Sequence, residues 1–277
     1  MGERVARPKE IYVIGGGPAG LEAARVSAER GHRVTLFERD TTLGGALKVA
    51  AAAPHRASLI DIIDYLEREG RRLKVDINLG AEISVDDLEE MRTIADHVVL
   101  ATGSRLAPLP AALQSRPAVS VDEVLMNHLP VHEPGAAVVY DEGDGFWPAY
   151  SAAEALAQRG WTVTMATALT ALAPRVPAES VGPLLQRLGE AGVTMHVAHR
   201  LDVPDDPTAR MALRPVFGGR EVLLEPSLVV WHQPRQADDV LQRTTKMDDT
   251  LTTIGDCVTP RRIGHAIAEG YRLGANV

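Results

Sequence analysis

The chain is poor in cysteine. One residue in 277, Cys257, excludes an internal disulfide and any iron-sulfur cluster held by four thiolates of this polypeptide. Positive charge is also short: 29 Lys and Arg against 37 Asp and Glu leave a net charge of −8. That mean field repels phosphodiester backbones and anionic lipid, so neither nucleic acid nor a membrane is an expected partner. The densest basic cluster, Arg71, Arg72 and Lys74, reads as a solvated helix end. Long apolar runs are missing too. The longest uncharged stretch, Gly160 to Pro174, is too short to span a bilayer, and the opening MGERVARPKE has no apolar signal core. A reducing cytoplasm is the expected compartment. What remains is ordinary globular composition, 45% hydrophobic and 24% charged, in a chain long enough for two domains at roughly 100 to 200 residues each.

The pattern along the chain gives an α/β protein. Ile11 to Ile14 is a short apolar run ending in GGGPAG, Leu21 to Ala28 follows with helical spacing, and Val34 to Phe37 is a second apolar run ending in Glu38. This strand, tight turn, helix and strand make a unit whose crossover sets its strands parallel. Further on, Ser58 to Glu69 has helical periodicity and Val75 to Leu79 reads as a strand. Ser84 with Asp87 resembles a capping box, and Val98 to Leu100 is another strand. Scattered prolines from Pro108 to Pro134 mark a boundary, after which the pattern repeats: Ala136 to Tyr140, a helix over Ala149 to Gln158, then Thr162 to Ala166. Val181 to Ala191 reads as a helix, Gly218-Gly219 as a hairpin turn between Val216 and Val222, and Leu228 to Trp231 as a closing strand. The final segment, TTIGDCVTPRRIGHAIAEGYRLG, has no partner in this second half and is expected to return to the first. The expected architecture is two Rossmann-like dinucleotide-binding domains, residues 1–107 plus 236–277 and an inserted 108–235.

The chemistry begins at IGGGPAG. Gly15 permits the sharp turn, Gly17 lets a pyrophosphate approach the backbone, and Gly20 lets the helix pack closely on the strand. A lone glycine triplet is weak evidence. Here it follows a strand, opens a helix and precedes an acidic residue, Glu38, that can accept hydrogen bonds from both hydroxyls of a ribose and repel an added ribose phosphate.

Three further pieces, LGGAL at 43–47, ATGS at 101–104 and TIGDC at 253–257, resemble the two-dinucleotide-binding-domain flavoproteins of the glutathione-reductase type. The resemblance implies FAD in the first domain. It places Gly44 and Gly45 along the diphosphate, Thr102 and Gly103 on the adenosine side, and Gly255 with Asp256 at the ribityl chain. It also draws in Pro18, Ala19, Arg39, Ala46, Leu47, Ile83 and Ala101 as cofactor-binding neighbours. The segment AAAPHRASLIDIIDYLEREGRRLKVDINLG, the turn YDEGDGFW and GDCVTPRRIGHAIAEG narrow the likeness to trimethylamine dehydrogenase and 2,4-dienoyl-CoA reductase, over nearly all of the chain. In those enzymes this region follows a flavin-bearing barrel and a cysteine-ligated cluster. The resemblance therefore implies a split enzyme, in which a separate barrel-type flavoprotein subunit performs the substrate chemistry.

The second glycine turn is different. In YDEGDGFWPAY, Gly143 and Gly145 are present, but Asp141, Glu142 and Asp144 crowd the place where a pyrophosphate would meet the helix. Unit charges about 4 Å apart interact by about 4 kcal/mol at an effective dielectric near 20, whereas a helix N-terminus offers about 0.3 to 2 kcal/mol. Phe146 and Trp147 also stand where close backbone approach favours small residues. NAD(P)H is thus not the expected ligand of this domain. Three readings remain open at this level: an FAD-binding electron-transfer subunit, a non-catalytic subunit that keeps only ADP in the first domain, and a self-contained NAD(P)H:acceptor reductase. No acid or base is assigned from this chain. Cys257 follows the GD turn, His55 follows Pro54 where a flavin ring would lie, and His265 lies on the last helix. His196 and His199 are expected on opposite sides of one strand, unable to share a metal.

Overall fold

The computed structural model describes residues 5–130 and 133–277, so the first four residues of the polar arm lie outside the described part. The chain divides into two units, the first Met1–Ala51, Ser58–Arg105 and Arg235–Val277, the second Ala52–Ala57 and Leu106–Pro234. The chain leaves the first unit two residues earlier than the sequence suggests, and Ala52–Ala57 groups with the second.

The first unit opens with β1 (Glu10–Ile14), α1 (Pro18–Glu29), β2 (Arg33–Glu38), α2 (Ala46–Ala52), α3 (Ile60–Arg72), β3 (Asp76–Leu79), α4 (Val85–Ile94), β4 (His97–Leu100) and β5 (Ser104–Arg105). The second unit contributes β6 (Ala118–Ser120), α5 (Val121–Leu125), β7 (Ala136–Asp141), α6 (Trp147–Gln158), β8 (Thr162–Thr167), α7 (Ala178–Glu190), β9 (Thr194–His196), β10 (His199–Asp202), β11 (Met211–Pro215), β12 (Val222–Leu224) and β13 (Leu228–His232). The chain then returns through β14 (Gln236–Ala237), α8 (Val240–Thr244), β15 (Leu251–Thr253) and α9 (Ile263–Asn276). β14 pairs antiparallel with β5, so the outgoing and returning segments run side by side within the first unit.

In the first unit a five-stranded sheet runs β15-β4-β1-β2-β3, every neighbour parallel. Its central strands are apolar on both faces, as a parallel sheet covered by helices requires: Ile11, Val13, Val98 and Val99 are fully buried. α1 starts with Pro18 in its first turn, where the missing N–H removes no helical bond. α9 lies against α1 because Gly270 and Gly274 carry no Cβ. One at Gly270 would run into the Ala19 carbonyl, and one at Gly274 would sit 2.7 Å from Val26 Cβ. α4 has the capping box its sequence announces, the Asp87 amide donating to Ser84 Oγ at 3.2 Å and the Ser84 amide to Asp87 Oδ2 at 2.9 Å.

The second unit repeats the plan, its parallel sheet running β6-β13-β7-β8-β9, and adds an antiparallel sheet β10-β11-β12. Gly218 and Gly219, both at positive φ, turn β11 into β12. α6 is buried along most of its length, and Tyr150 within it accepts a hydrogen bond from the Ala173 amide at 2.6 Å.

Two histidines at one edge of the first unit make its stability depend on pH. Nε2 of His97 lies 3.0 Å from Thr252 Oγ1, and Nδ1 of His32 accepts from the Lys9 amide at 3.1 Å. Burial holds both imidazoles below the ordinary histidine value, with Lys9 adding to the effect. The unfolded chain therefore binds these protons at higher pH than the folded one. The contribution of these two histidines to stability is fully present above about pH 6.5 and is lost progressively as pH falls below that value. Urea midpoints should hold steady from about pH 8 to 7 and decline from about 6.5 to 5, and His97→Gln should flatten the decline. An unchanged slope in that variant would refute the assignment.

Candidate functional site

The parallel registers of the first unit bring its strand ends level. Ile14 is paired with Phe37 and with Leu100, Leu100 with Thr253, and Phe37 with Asn78. The segments that leave these ends therefore emerge along one edge of the sheet. In a doubly wound sheet the crevice beyond the carboxyl ends is where ligands bind. Here that edge gathers the GGG turn after β1, Glu38 at the end of β2, the segment to Ile83 after β3, Ala101 to Gly103 after β4 and Gly255-Asp256 after β15.

The turn itself is fixed by contact. Gly15 has φ +110°, and a side chain there or at Gly20 would collide with backbone carbonyls, that of Ala101 in the first case and of Gly15 in the second. Gly17, the N-cap of α1, is different: a Cβ placed on it meets nothing within 4 Å. No side chain caps α1, so the first amides of the helix have no side-chain acceptor. The second glycine pair runs beside this turn. The Gly44 amide donates to the Gly16 carbonyl at 2.9 Å, and a Cβ on Gly45 would be 3.5 Å from Gly17 Cα. Ala46 opens α2, and the Leu47 amide donates to Gly44 O at 3.1 Å while its side chain enters the core.

Glu38 is buried, 6% exposed, and held at both oxygens. Oε2 accepts from the Gly16 amide at 2.6 Å and Oε1 from the Asp40 amide at 2.8 Å. Each oxygen keeps acceptor capacity for a further donor, which is what a ribose diol supplies. Beyond β3 the Ala81 amide donates to Glu38 O at 2.8 Å, and Ile83 packs half-buried in the cluster containing Ile14 and Leu100.

Two residues that the sequence reading passed over organise the remainder. Asp238 accepts from Thr102 Oγ1 through its carbonyl at 2.6 Å, donates its amide to Gly103 O at 3.0 Å and pairs its carboxylate with Arg39 at 3.2 Å. Arg39 is thus tied to the β4 exit, with 55% of its side chain exposed. Glu269 accepts from the Gly255 amide at 2.8 Å and pairs with Arg261. Burial pushes its pKa up, but the Gly255 amide and Arg261 outweigh that and hold it below the ordinary carboxylate value. Asp238 belongs to no motif, and Glu269, though inside the segment GDCVTPRRIGHAIAEG, has no role assigned from the sequence. Gly255 stands against the start of α1, where an added Cβ would be 2.8 Å from Ala19 Cβ. Asp256 beside it is half-buried, accepting from Ser104 Oγ at 3.2 Å and from the Arg261 amide at 3.0 Å.

Cys257 is buried with its thiol directed at Ile254 O (3.1 Å) and Leu100 O (3.3 Å), and burial raises its pKa. His265 is exposed on α9. His55 and Arg56 belong to the second unit. There His55 Nε2 lies 3.3 Å from Glu154 Oε1, and Arg56 stacks 4.3 Å above the Trp147 ring. His196 and His199 correct the sequence reading: they end β9 and begin β10, separate strands joined through Ala198 at φ 53°, and their rings meet edge to face at 5.2 Å. Among the described residues no group of three or more His, Cys, Asp or Glu is placed to hold a metal.

In the second unit the corresponding turn is filled from within. Asp141, fully buried, accepts at Oδ1 from the amides of Gly143 (3.1 Å) and Asp144 (2.8 Å) and at Oδ2 from that of Gly145 (2.8 Å). Asp144 pairs with His232 Nε2 at 2.9 Å and Glu142 accepts from Trp231 Nε1 at 3.0 Å.

Two Rossmann-like units, one with an open glycine turn at the head of a helix and a buried glutamate at the next strand end, define a dinucleotide-binding oxidoreductase. The family model described as pyridine nucleotide-disulphide oxidoreductase matches residues 9–270, and the chain belongs to that family. Bilirubin reductase from Mediterraneibacter gnavus is 33% identical over 97% of this chain and 41% of its own length. A multifunctional alkene reductase/demethylase from Caballeronia cordobensis is 36% identical over 73% of this chain and 28% of its own. The 6-hydroxypseudooxynicotine amine oxidase of Pseudomonas geniculata N1 superposes with a TM-score of 0.88 at 24% identity, covering all of this chain and 43% of that one. The chain thus spans less than half the length of these relatives. Among the described residues no helix is long and apolar enough to cross a membrane.

The geometry separates the two kinds of glycine. Gly20→Ala should lower stability by about 3 kcal/mol or more, because backbone must move, while Gly17→Ala should stay within about 1 kcal/mol of the parent. Urea unfolding of both checks this, and equal losses would contradict the open turn.

Proposed function

We propose that the first unit holds FAD and that the protein passes electrons between this flavin and a barrel-type flavoprotein partner, as a component of a dehydrogenase or demethylase. The observation that carries the reading is the open head of α1 set beside a buried, doubly held Glu38. On this reading the pyrophosphate lies along Gly15, Gly17, Pro18, Ala19, Gly20, Gly44, Gly45 and Ala46, and the adenosine ribose on Glu38 with Arg39 beside it. Ile83, Ala101, Thr102 and Gly103 line the adenosine side, and Leu47, Gly255 and Asp256 hold the flavin end. FAD bound there would supply reversible electron transfer. The chain's own work is positional: the α1 amides offset the phosphate charge, the Gly16 and Asp40 amides keep Glu38 aimed, and Glu269 with Arg261 fixes the turn that presents Asp256.

The likeness to trimethylamine dehydrogenase and 2,4-dienoyl-CoA reductase supplies the partner, and the oxidoreductase names of the relatives fit it. The lone cysteine, buried as a thiol, suits a cytoplasmic setting. The family description includes pyridine nucleotides. The acidic, self-satisfied turn of the second unit nevertheless favours a domain that works without NAD(P)H.

Purified protein should be yellow and release FAD on denaturation, and Gly17→Val should be colourless with unchanged circular dichroism. A colourless parent that releases ADP would overturn the flavin assignment in favour of a structural ADP subunit. Glu38→Ala should weaken FAD binding by about 1.5 to 3 kcal/mol, roughly tenfold to 150-fold in Kd. Anaerobic NADH or NADPH should leave the flavin oxidised, and prompt bleaching would establish a self-contained reductase instead.

A further inference from the structure

Asp141 stands at the end of β7, level with His232 at the end of β13 and Thr167 at the end of β8. It is fully buried, and its carboxylate takes the amides of Gly143, Asp144 and Gly145. Successive amides converging on one anion form a nest, the backbone device that elsewhere cradles phosphate. Gly143 and Gly145 both adopt positive φ, 135° and 63°, which lets the chain curl its N–H groups around a single point. Around this centre the remaining charges are also engaged. Asp144 bonds to His232, which is 2% exposed, and pairs with Arg175 at 3.7 Å, while Glu142 accepts from Trp231.

We propose that Asp141 is the resident anion of the second unit. Its carboxylate does for the β7–α6 turn what a pyrophosphate does for an open dinucleotide turn, and in doing so it decides that the unit takes no pyridine nucleotide. The inference deepens the nicotinamide-free part of the functional reading and rests on it. A nucleotide phosphate entering the nest would have to displace a covalently tethered carboxylate and then sit beside Glu142 and Asp144. Removing the carboxylate does two things together: it leaves three amides, that of Gly145 buried, without their acceptor, and it vacates the position an external anion needs.

The test uses the full chain carrying Gly17→Val, which disables the turn of the first unit, with and without Asp141→Ala. Inorganic pyrophosphate is the probe and thermal unfolding the readout. Asp141→Ala should lower Tm by at least about 5 °C in chloride buffer. Millimolar pyrophosphate should recover at least about half of that loss saturably, as a ligand that binds only the folded state does, and should leave the Asp141 parent unmoved. Should Asp141→Ala fail to accumulate, Asp141→Ser, whose shorter side chain also removes the carboxylate and vacates the nest, gives the same contrast. An unchanged Tm, or a loss that pyrophosphate does not reverse, overturns the proposal. So does tight NADH binding, with a Kd below about 0.1 mM, by the Gly17→Val parent. Flavin takes no part in these readouts, so failure of the FAD assignment and failure of the Asp141 assignment are seen separately.

Discussion

The close approach of α1 to the carboxyl end of β1 is the constraint on which the first unit depends. Gly20 lies so near the Gly15 carbonyl, and Gly15 so near that of Ala101, that β1, α1 and the β4 exit have one way of meeting. Their spacing fixes where Gly17 stands, at a helix head that no side chain caps. α9 then locks α1 from the other side through Gly270 and Gly274. Small residues here do not confer flexibility. They let backbone meet backbone, and the geometry of the turn follows from steric exclusion more than from hydrogen bonding.

The two units show the same turn solved in two ways. In the first, the acidic residue sits one strand away, at the end of β2, and reaches the turn from outside through a single amide, that of Gly16. No side chain caps the helix there. In the second, the acidic residue sits at the end of the strand that enters the turn and takes three of its amides. On the proposed reading, moving a carboxylate from the neighbouring strand to the entering strand converts an anion receptor into a structure that supplies its own anion. The Coulomb argument made from the sequence concerns the same carboxylates. The structure adds that Asp141 is a hydrogen-bonded part of the turn as well as a repulsive neighbour.

Much of this was legible in the sequence because the signals were local. The strand, turn and helix of IGGGPAG, the acidic end of β2, the capping box at Ser84 and the Gly218-Gly219 hairpin each depend on residues a few positions apart. What escaped the sequence depends on contacts over long separations or on single backbone angles. Asp238 reaches Thr102 across 136 positions, and Glu269 reaches Gly255 across 14, from the middle of α9. α2, a helix not expected from the sequence, places Leu47 in the core. His196 and His199 were placed on one strand by a period-two argument that holds only while the strand continues. Ala198, at positive φ, ends it and brings the rings together.

A turn that carries its own anion also changes how stability is distributed. A unit whose helix amides wait for a ligand gains stability with ligand concentration, by the logarithm of its saturation, whereas one capped from within is indifferent to it. On the proposed reading the first unit is therefore firmest when loaded with flavin, and the second is equally firm whatever the nucleotide supply. For an electron-transfer component this is a coherent division. The domain that must hold a redox cofactor is rewarded for holding it, and the domain that repeats its fold keeps that fold without competing for the same class of ligand. Asp141 is the residue on which the difference turns, because no other buried carboxylate among the described residues occupies a glycine turn in this way.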